Sequence, residues 1–139
     1  MIVLDTNVLS EAVRPAPARR VLDWLAAQPP SSLFTTTVTE AEFLYGLALL
    51  PAGKRRTSLE EAARRMFEQD FAQRVLPFDR AAASAFATIA ATRRKKGQPI
   101  SEFDAQIAAI ARTHGAAVAT RNVGDFQDCG IEIVDPWHA

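Results

Sequence analysis

The residues of this sequence best suited to chemistry are carboxylates that follow short apolar runs. Ile2, Val3 and Leu4 form one such run, and Asp5 follows it directly. A short run rich in β-branched residues predicts a strand that is buried on both faces. Open parallel sheets bind ligands beyond the carboxyl ends of their strands, so Asp5 is a candidate site residue. The alternative is that Asp5 only caps the following helix, as Asp often does.

Three further acidic residues are predicted to lie at the same edge of the sheet. Glu42 and Asp104 each fall in the first turn of a predicted helix, and Asp125 closely follows a predicted strand. Strand ends and the starts of the following helices share one edge of a parallel α/β sheet. Carboxylates gathered there repel one another unless a hard divalent cation such as Mg²⁺ neutralises them. Two such ions ~4 Å apart are a recurring arrangement in nucleases.

Each of these three acids also fits an ordinary helix cap. The segments Thr39–Glu42 and Ser101–Asp104 have the form of capping boxes or their near relatives, and Asn122–Asp125 would be a third. A cap requires no metal ion. The alternative function is therefore a non-catalytic α/β interaction module that binds a partner protein or operator DNA. A phosphoacceptor signalling domain is less favoured, because no second Asp adjoins Asp5 after the first strand.

Strands and helices are predicted to alternate along the whole chain. After the opening strand, the predicted strands are Leu33–Thr37, Val75–Phe78, Ala117–Thr120 and Ile131–Val134. The stretches between them have helical periodicity and are bounded by Pro, Gly or capping residues. This order predicts an α/β fold: a single domain over residues 1–139, with a mainly parallel central sheet of about four to five strands flanked by helices.

Composition limits the classes of function that remain. The 139 residues include 16 basic and 16 acidic side chains, so no global charge favours nucleic acid. The only cysteine is Cys129, which excludes an internal disulfide, and two histidines cannot form a Cys/His zinc site. No apolar run approaches 18 residues, so we expect no membrane span and a cytoplasmic location. No arrangement of Ser, Cys or His suggests a covalent nucleophile, and no Gly-rich phosphate loop is present.

Five segments of the chain carry a family resemblance. They are Ile2–Asn7, Glu42–Gly46, Asp104–Ala109, Thr120–Asn122 and Pro136–Trp137. Together they resemble PIN-domain ribonucleases, most closely toxins of the VapC and FitB type from bacterial toxin–antitoxin pairs. The resemblance extends from end to end and implies a PIN-like domain with Mg²⁺- or Mn²⁺-dependent endoribonuclease activity on RNA. It also implies a cognate antitoxin, a homodimer, and a toxin–antitoxin hetero-oligomer that binds operator DNA through the antitoxin.

The resemblance also implies roles for individual residues. Asp5, Glu42 and Asp104 would form the acidic core, hold the metal and act in catalysis. The metal would lower the pKa of a bound water, which attacks the phosphorus without any protein nucleophile. Many PIN domains carry Asp where this chain has Asn122, so either Asn122 or Asp125 is the fourth site residue. We expect Asp125 to help hold a second ion, directly or through water, while Asn122 positions the turn as a cap.

Other residues are predicted to support this site. Four polar residues lie beside it in the predicted fold: Thr6, Asn7, Thr120 and Asn122. The two threonine hydroxyls are expected to orient carboxylates or waters. A basic run ends the helix that precedes Asp104, and it consists of Arg93, Arg94, Lys95 and Lys96. This run either contacts RNA phosphates near the acidic edge or is a solvated helix end matched to the helix dipole.

Overall fold

Five parallel strands form the central sheet of the computed structural model, which describes residues 1–139. The strands are β1 (Ile2–Leu4), β2 (Leu33–Thr36), β3 (Val75–Leu76), β4 (Ala117–Ala119) and β5 (Ile133–Val134). Their order across the sheet is β3-β2-β1-β4-β5, and every pairing is parallel. The predicted α/β fold is therefore confirmed, with β1 at the centre and β3 at one edge.

Six helices connect these strands. They are α1 (Thr6–Ala12), α2 (Arg19–Ala27), α3 (Thr37–Ala48), α4 (Lys54–Arg65), α5 (Arg80–Lys95) and α6 (Glu102–Thr113). Short turns of 3-10 helix occupy Pro30–Ser32 and Val123–Phe126, and a π turn at Met66–Asp70 continues α4. None of the helices combines the length and the apolar character needed to cross a membrane.

The hydrophobic core lies in two layers, one on each face of the sheet. Successive residues of a strand point to opposite faces. Val3 accordingly packs with α5 and α6, whereas Leu4 packs with α1, α2 and α4. Val118 and Ala119 of β4 divide between the same two layers. Both faces of the central strands are therefore covered, which leaves the carboxyl edge of the sheet as the place for polar side chains.

The start of α3 differs from the capping box predicted at Thr39–Glu42. The helix begins at Thr37, and the cap is Thr36, whose Oγ1 accepts a hydrogen bond from the Thr39 N–H at 3.0 Å. The prediction was wrong because several threonines in this stretch can cap, and only strand pairing selects among them. Thr36 pairs with Leu76 of β3 and so remains extended. Glu42 therefore lies in the second turn of α3 and is free of any capping role.

The predicted cap at Ser101 is confirmed, and Asp79 caps α5 in the same way. Ser101 precedes α6, and its Oγ accepts from the Asp104 N–H at 3.2 Å. Asp79 precedes α5, and its Oδ1 accepts from the Ala82 N–H at 2.9 Å. Because Ser101 provides the side-chain cap of α6, the carboxylate of Asp104 is not needed for that role.

Candidate active site

Asp5 occupies the carboxyl end of the central strand, and its side chain is only 4% exposed. Its N–H donates to the Ala119 carbonyl at 2.9 Å, which ties it to β4. Asp5 Oδ1 accepts from the Thr6 N–H at 2.8 Å, so the residue does cap α1. Asp5 Oδ2 accepts from the Thr120 hydroxyl at 2.8 Å and from Asn7 Nδ2 at 3.2 Å. These bonds fix the carboxylate, so its cap is compatible with a place in a functional site.

Glu42 and Asp104 approach the same edge from α3 and α6. The Thr6 hydroxyl donates to Glu42 Oε1 at 2.9 Å, which links α3 to the start of α1. Asp104 stands in the first turn of α6, whose cap is Ser101. Both acids are half-buried. The predicted supporting roles of Thr6, Asn7 and Thr120 are thus matched by direct hydrogen bonds to the acids.

Asp5, Glu42 and Asp104 line a single cavity of about 420 Å³. None of the three forms an ion pair with a basic side chain of the chain. No three His, Cys, Asp or Glu side chains are placed to hold one metal ion directly. A cation here would accordingly bind one or two carboxylates and complete its shell with water, which is how Mg²⁺ usually binds to proteins. The hard oxygen donors fit such an ion.

Burial raises the pKa of all three carboxyl groups. The pKa of Asp5 rises from 3.8 to about 6, mainly through desolvation, and the charges of Asp104 and Glu42 add to the effect. Hydrogen bonds from Thr120 and Thr6 oppose the rise. Desolvation is also the largest cause of the raised pKa values of Glu42 and Asp104. The charge of Arg93 opposes the rise at Asp104. Since no basic side chain forms an ion pair with any of the three acids, the cavity favours an added positive charge.

The two candidates for the fourth site residue lie in different places. Asn122 lines the cavity, whereas the exposed Asp125 does not. The charge of Asp125 nevertheless helps to raise the pKa of Asp104. The predicted cap at Asn122 is wrong, because its side chain makes no capping hydrogen bond with the turn at Val123–Phe126. Asn122 is held instead through its N–H, which donates to Thr120 Oγ1 at 3.0 Å.

Arg93 has a structural role that its place in a basic run concealed. It is 4% exposed, and its guanidinium donates to the carbonyls of Gln98, Asp125 and Gln127 at 2.7 to 2.9 Å. It therefore cannot contact RNA, and that part of the prediction is wrong. The rest of the run is exposed but does not line the cavity: Arg94, Lys95 and Lys96. The sequence does not distinguish a buried arginine in such a run from its solvent-exposed neighbours.

Five further residues line the cavity that sequence reasoning did not assign. They are Ser10, Glu11, Arg14, Arg121 and Trp137. Helical spacing could have found Ser10 and Glu11, because they follow Asn7 at three and four residues and so share one face of α1. Arg14 lies beyond the end of that helix, so this signal does not reach it. Arg121 adjoins Thr120, which is a weaker signal. Trp137 belongs to the segment Pro136–Trp137 that carries the family resemblance, but only the fold shows that it lines the cavity.

Comparison with known proteins identifies the family. The model of the PIN domain matches residues 2–130. The chain belongs to the PIN-domain family. The predicted resemblance is thereby confirmed, and Asp5, Glu42 and Asp104 all lie within the matched residues.

Individual PIN relatives are similar over nearly their whole length. The chain is 43% identical to the VapC ribonuclease Y4jK of Sinorhizobium fredii, over 99% of this chain and 98% of that protein. It is 39% identical to the toxin FitB of Neisseria gonorrhoeae, over 99% of both. Its fold matches a solved structure of FitAB bound to an IR36 DNA fragment with a TM-score of 0.94 and 39% identity. That match covers 100% of this chain and 97% of the other.

Proposed function

We propose that this PIN domain is a metal-dependent endoribonuclease and the toxin of a toxin–antitoxin pair. The observation that carries the proposal is the meeting of three buried or half-buried carboxylates, Asp5, Glu42 and Asp104, in one cavity without a basic partner. Similarity to a VapC ribonuclease and to the toxin FitB supports the same activity. The substrate is single-stranded or loop RNA, and the cofactor is Mg²⁺, with Mn²⁺ as a substitute.

The chain's own residues would prepare the site for the reaction. A bound Mg²⁺ would supply a water of lowered pKa and positive charge for the developing negative charge of the phosphate. Asp5 is held in place for the ion by Thr120 and by the N–H of Thr6, and Glu42 by the hydroxyl of Thr6. Fixed carboxylates lower the reorganisation needed at the moment of reaction. The protein has to orient the groups, and no side chain has to form a covalent intermediate.

Removal of the metal should abolish the activity. We expect the antitoxin-free chain to cleave total RNA in millimolar Mg²⁺ and to leave it intact in EDTA, because the buried carboxylates alone cannot activate water. Binding of Mg²⁺ to the folded state alone should also stabilise it by about 2.7 kcal/mol at a hundred times the dissociation constant. The measurements are gel analysis of the RNA and the melting temperature. Intact RNA together with a melting temperature indifferent to Mg²⁺ would favour the interaction module over the enzyme.

Asp125 is proposed to act on the metal through charge, and Asn122 through its place in the cavity. Two Mg²⁺ ions carry more positive charge than three carboxylates supply, so the nearby Asp125 would help to retain the second ion. Asp125→Asn should raise the Mg²⁺ concentration for half-maximal cleavage with little loss of stability. Asn122→Ala should change that concentration less and alter stability by under about 0.5 kcal/mol, because its side chain caps nothing. The measurement is a Mg²⁺ titration of the cleavage rate for both variants. A larger rise in the required Mg²⁺ concentration for Asn122→Ala than for Asp125→Asn would assign the fourth position to Asn122.

A partner protein is proposed for an apolar cleft between α1, α3 and α4. The cleft is lined only by apolar side chains, which are Val13, Phe43, Leu47, Leu59, Ala62, Ala63 and Met66. Exposed apolar surface of this kind marks protein interaction sites. The solved FitAB structure on DNA leads us to propose that a cognate antitoxin covers this cleft and binds operator DNA for the pair. A homodimer of the toxin within this hetero-oligomer is part of the same proposal.

Disruption of this cleft should separate antitoxin binding from catalysis. Leu59 is 38% exposed at the cleft, whereas Leu49 is 68% exposed outside it. Leu59→Glu should weaken binding of the purified antitoxin at least about tenfold, because a charge is buried in an apolar contact. Cleavage by the free chain should not change. Titration calorimetry measures the affinity, with Leu49→Glu as the control, and equal affinities for both variants would place the antitoxin elsewhere.

A further inference from the structure

Arg121 is a basic residue of the cavity lining whose side chain binds neither an acidic group nor a carbonyl group. It follows Thr120 at the end of β4 and lines the same cavity as Asp5, Glu42 and Asp104. Its guanidinium forms no ion pair and no hydrogen bond, and the residue is held through its backbone N–H. Arginine usually pairs with carboxylates where they are near. An unpaired guanidinium in a cavity lined by acids therefore requires a cause.

Trp137 supplies that cause. The Arg121 Cζ atom lies 5.2 Å from the centroid of the Trp137 ring, within the range of a cation–π contact. Trp137 is itself held by packing against the core layer that contains Leu4 and by its backbone N–H, which donates to Asp135 Oδ1 at 2.9 Å. The guanidinium thus rests on a fixed aromatic ring at the rim of the cavity. Its N–H donors form no bond with a carboxylate and remain available.

The backbone of Arg121 is fixed relative to the acids as well. Its N–H donates to Asn7 Oδ1 at 3.3 Å, and Asn7 Nδ2 donates to Asp5 Oδ2 at 3.2 Å. One asparagine therefore joins Arg121 to the central carboxylate, while Trp137 holds the other end of the side chain. A guanidinium located in this way has a defined position with respect to any group bound at Asp5.

The other basic residues near the cavity are already engaged. Arg14 also lines it, but its Nη1 lies 3.3 Å from Glu11 Oε1 in an ion pair. Arg93 is buried and bonded to carbonyl groups. An RNA phosphate that enters a cavity lined by acids meets repulsion, which one free guanidinium at the rim can offset. The planar guanidinium offers two parallel N–H donors to phosphate oxygens.

We propose that Arg121 binds a phosphodiester of single-stranded RNA next to the bond that is cut, and that Trp137 is the positioning residue for Arg121. This inference rests on the proposed ribonuclease function and adds the group that recognises the substrate backbone. Recognition by a single guanidinium of a backbone phosphate carries no base preference, so the contact should act on all RNA sequences alike.

The test measures RNA binding without cleavage. The full chain carrying Asp5→Asn is mixed in EDTA with a fluorescent single-stranded RNA of mixed sequence, and anisotropy gives the dissociation constant at several salt concentrations. Adding Arg121→Ala should weaken binding about tenfold, as expected for one lost charge-assisted contact. It should also lower the slope of log affinity against log salt by about 0.7, the value for one phosphate on a single strand. Arg64→Ala, at an exposed arginine outside the cavity, should change neither.

Variants of Trp137 test its role independently. Trp137→Phe keeps an aromatic ring and should stay within about threefold of the parent affinity, whereas Trp137→Leu removes the cation–π contact and should approach Arg121→Ala. Active chains with Arg121→Ala should show a raised KM with little change in kcat, the pattern of a contact equal in ground and transition states. Unchanged affinity and salt slope in Arg121→Ala, in a chain that binds and cuts RNA, would overturn this inference alone. A parent chain that neither binds nor cuts RNA would overturn the proposed function, and this inference with it.

Discussion

Replacing Asp5 by Asn is expected to reduce RNA cleavage in Mg²⁺ at least about a hundredfold while raising the free energy of unfolding. The loss follows because Asp5 is the most deeply buried acid of the cavity and the one best fixed by hydrogen bonds. Altering even the partners of metal ligands costs about 10- to 100-fold in affinity or activity, and a ligand itself should cost no less. Initial rates on a labelled RNA measure the effect.

The gain in stability follows from the raised pKa of Asp5. Burial raises that pKa from 3.8 to about 6, so the folded state binds the proton more tightly than the unfolded chain. A carboxyl group with a raised pKa lowers the free energy of unfolding as pH rises from about 4 to about 6. Above that range the whole decrease, up to about 3 kcal/mol, remains. Asn carries no charge, so Asp5→Asn should lack this fall and should be the more stable protein at neutral pH.

Chemical denaturation in EDTA across pH 4 to 8 checks the stability part. Asp23→Asn is the matched control, because Asp23 lies outside the cavity in an exposed ion pair with Arg19 and should contribute little. Wild type and Asp23→Asn should show the same fall, and Asp5→Asn a flatter profile. A variant that is less stable than wild type at pH 7.5 would mean that the hydrogen bonds of the carboxylate outweigh its desolvation.

Replacing Arg93 by Met is expected to lower stability by about 3 kcal/mol, which corresponds to a fall in melting temperature of roughly 10 °C. The guanidinium joins the end of α5 to the carbonyls of Gln98, Asp125 and Gln127. Met fills similar space but donates nothing, so buried carbonyl groups would lose their partners. Because Asp125 is among those held, the variant should also need more Mg²⁺ for cleavage.

Arg94→Met is the control for this experiment, since Arg94 is exposed one residue along the same helix. Its melting temperature should stay within about 2 °C of wild type, as for most surface substitutions. Thermal denaturation followed by circular dichroism compares the two. A melting temperature unchanged by Arg93→Met, together with a raised KM for RNA, would restore the basic run as an RNA-binding element.

The sequence was sufficient to predict the strands that position the site and the edge of the sheet at which its acids meet. Short apolar runs fixed the strands, and the rule that ligands bind beyond the carboxyl ends of parallel strands placed Asp5, Glu42 and Asp104 at one edge. The cap at Ser101 was also predictable, because capping depends on hydrogen bonds between residues three apart. These features follow from local periodicity and local hydrogen bonding, which a sequence contains directly.

The tertiary structure decided the features that depend on distant residues. Thr36 rather than Thr39 starts α3, because pairing with β3 sets where the strand ends. Arg93 is buried because its carbonyl partners come from a segment more than 30 residues away. Arg121 reaches Trp137 only because β4 and the end of the chain meet at the cavity. In each case residues of the same type have the same local preferences, and contacts with distant parts of the chain decide which of them takes the role. The local sequence contains no signal for such contacts.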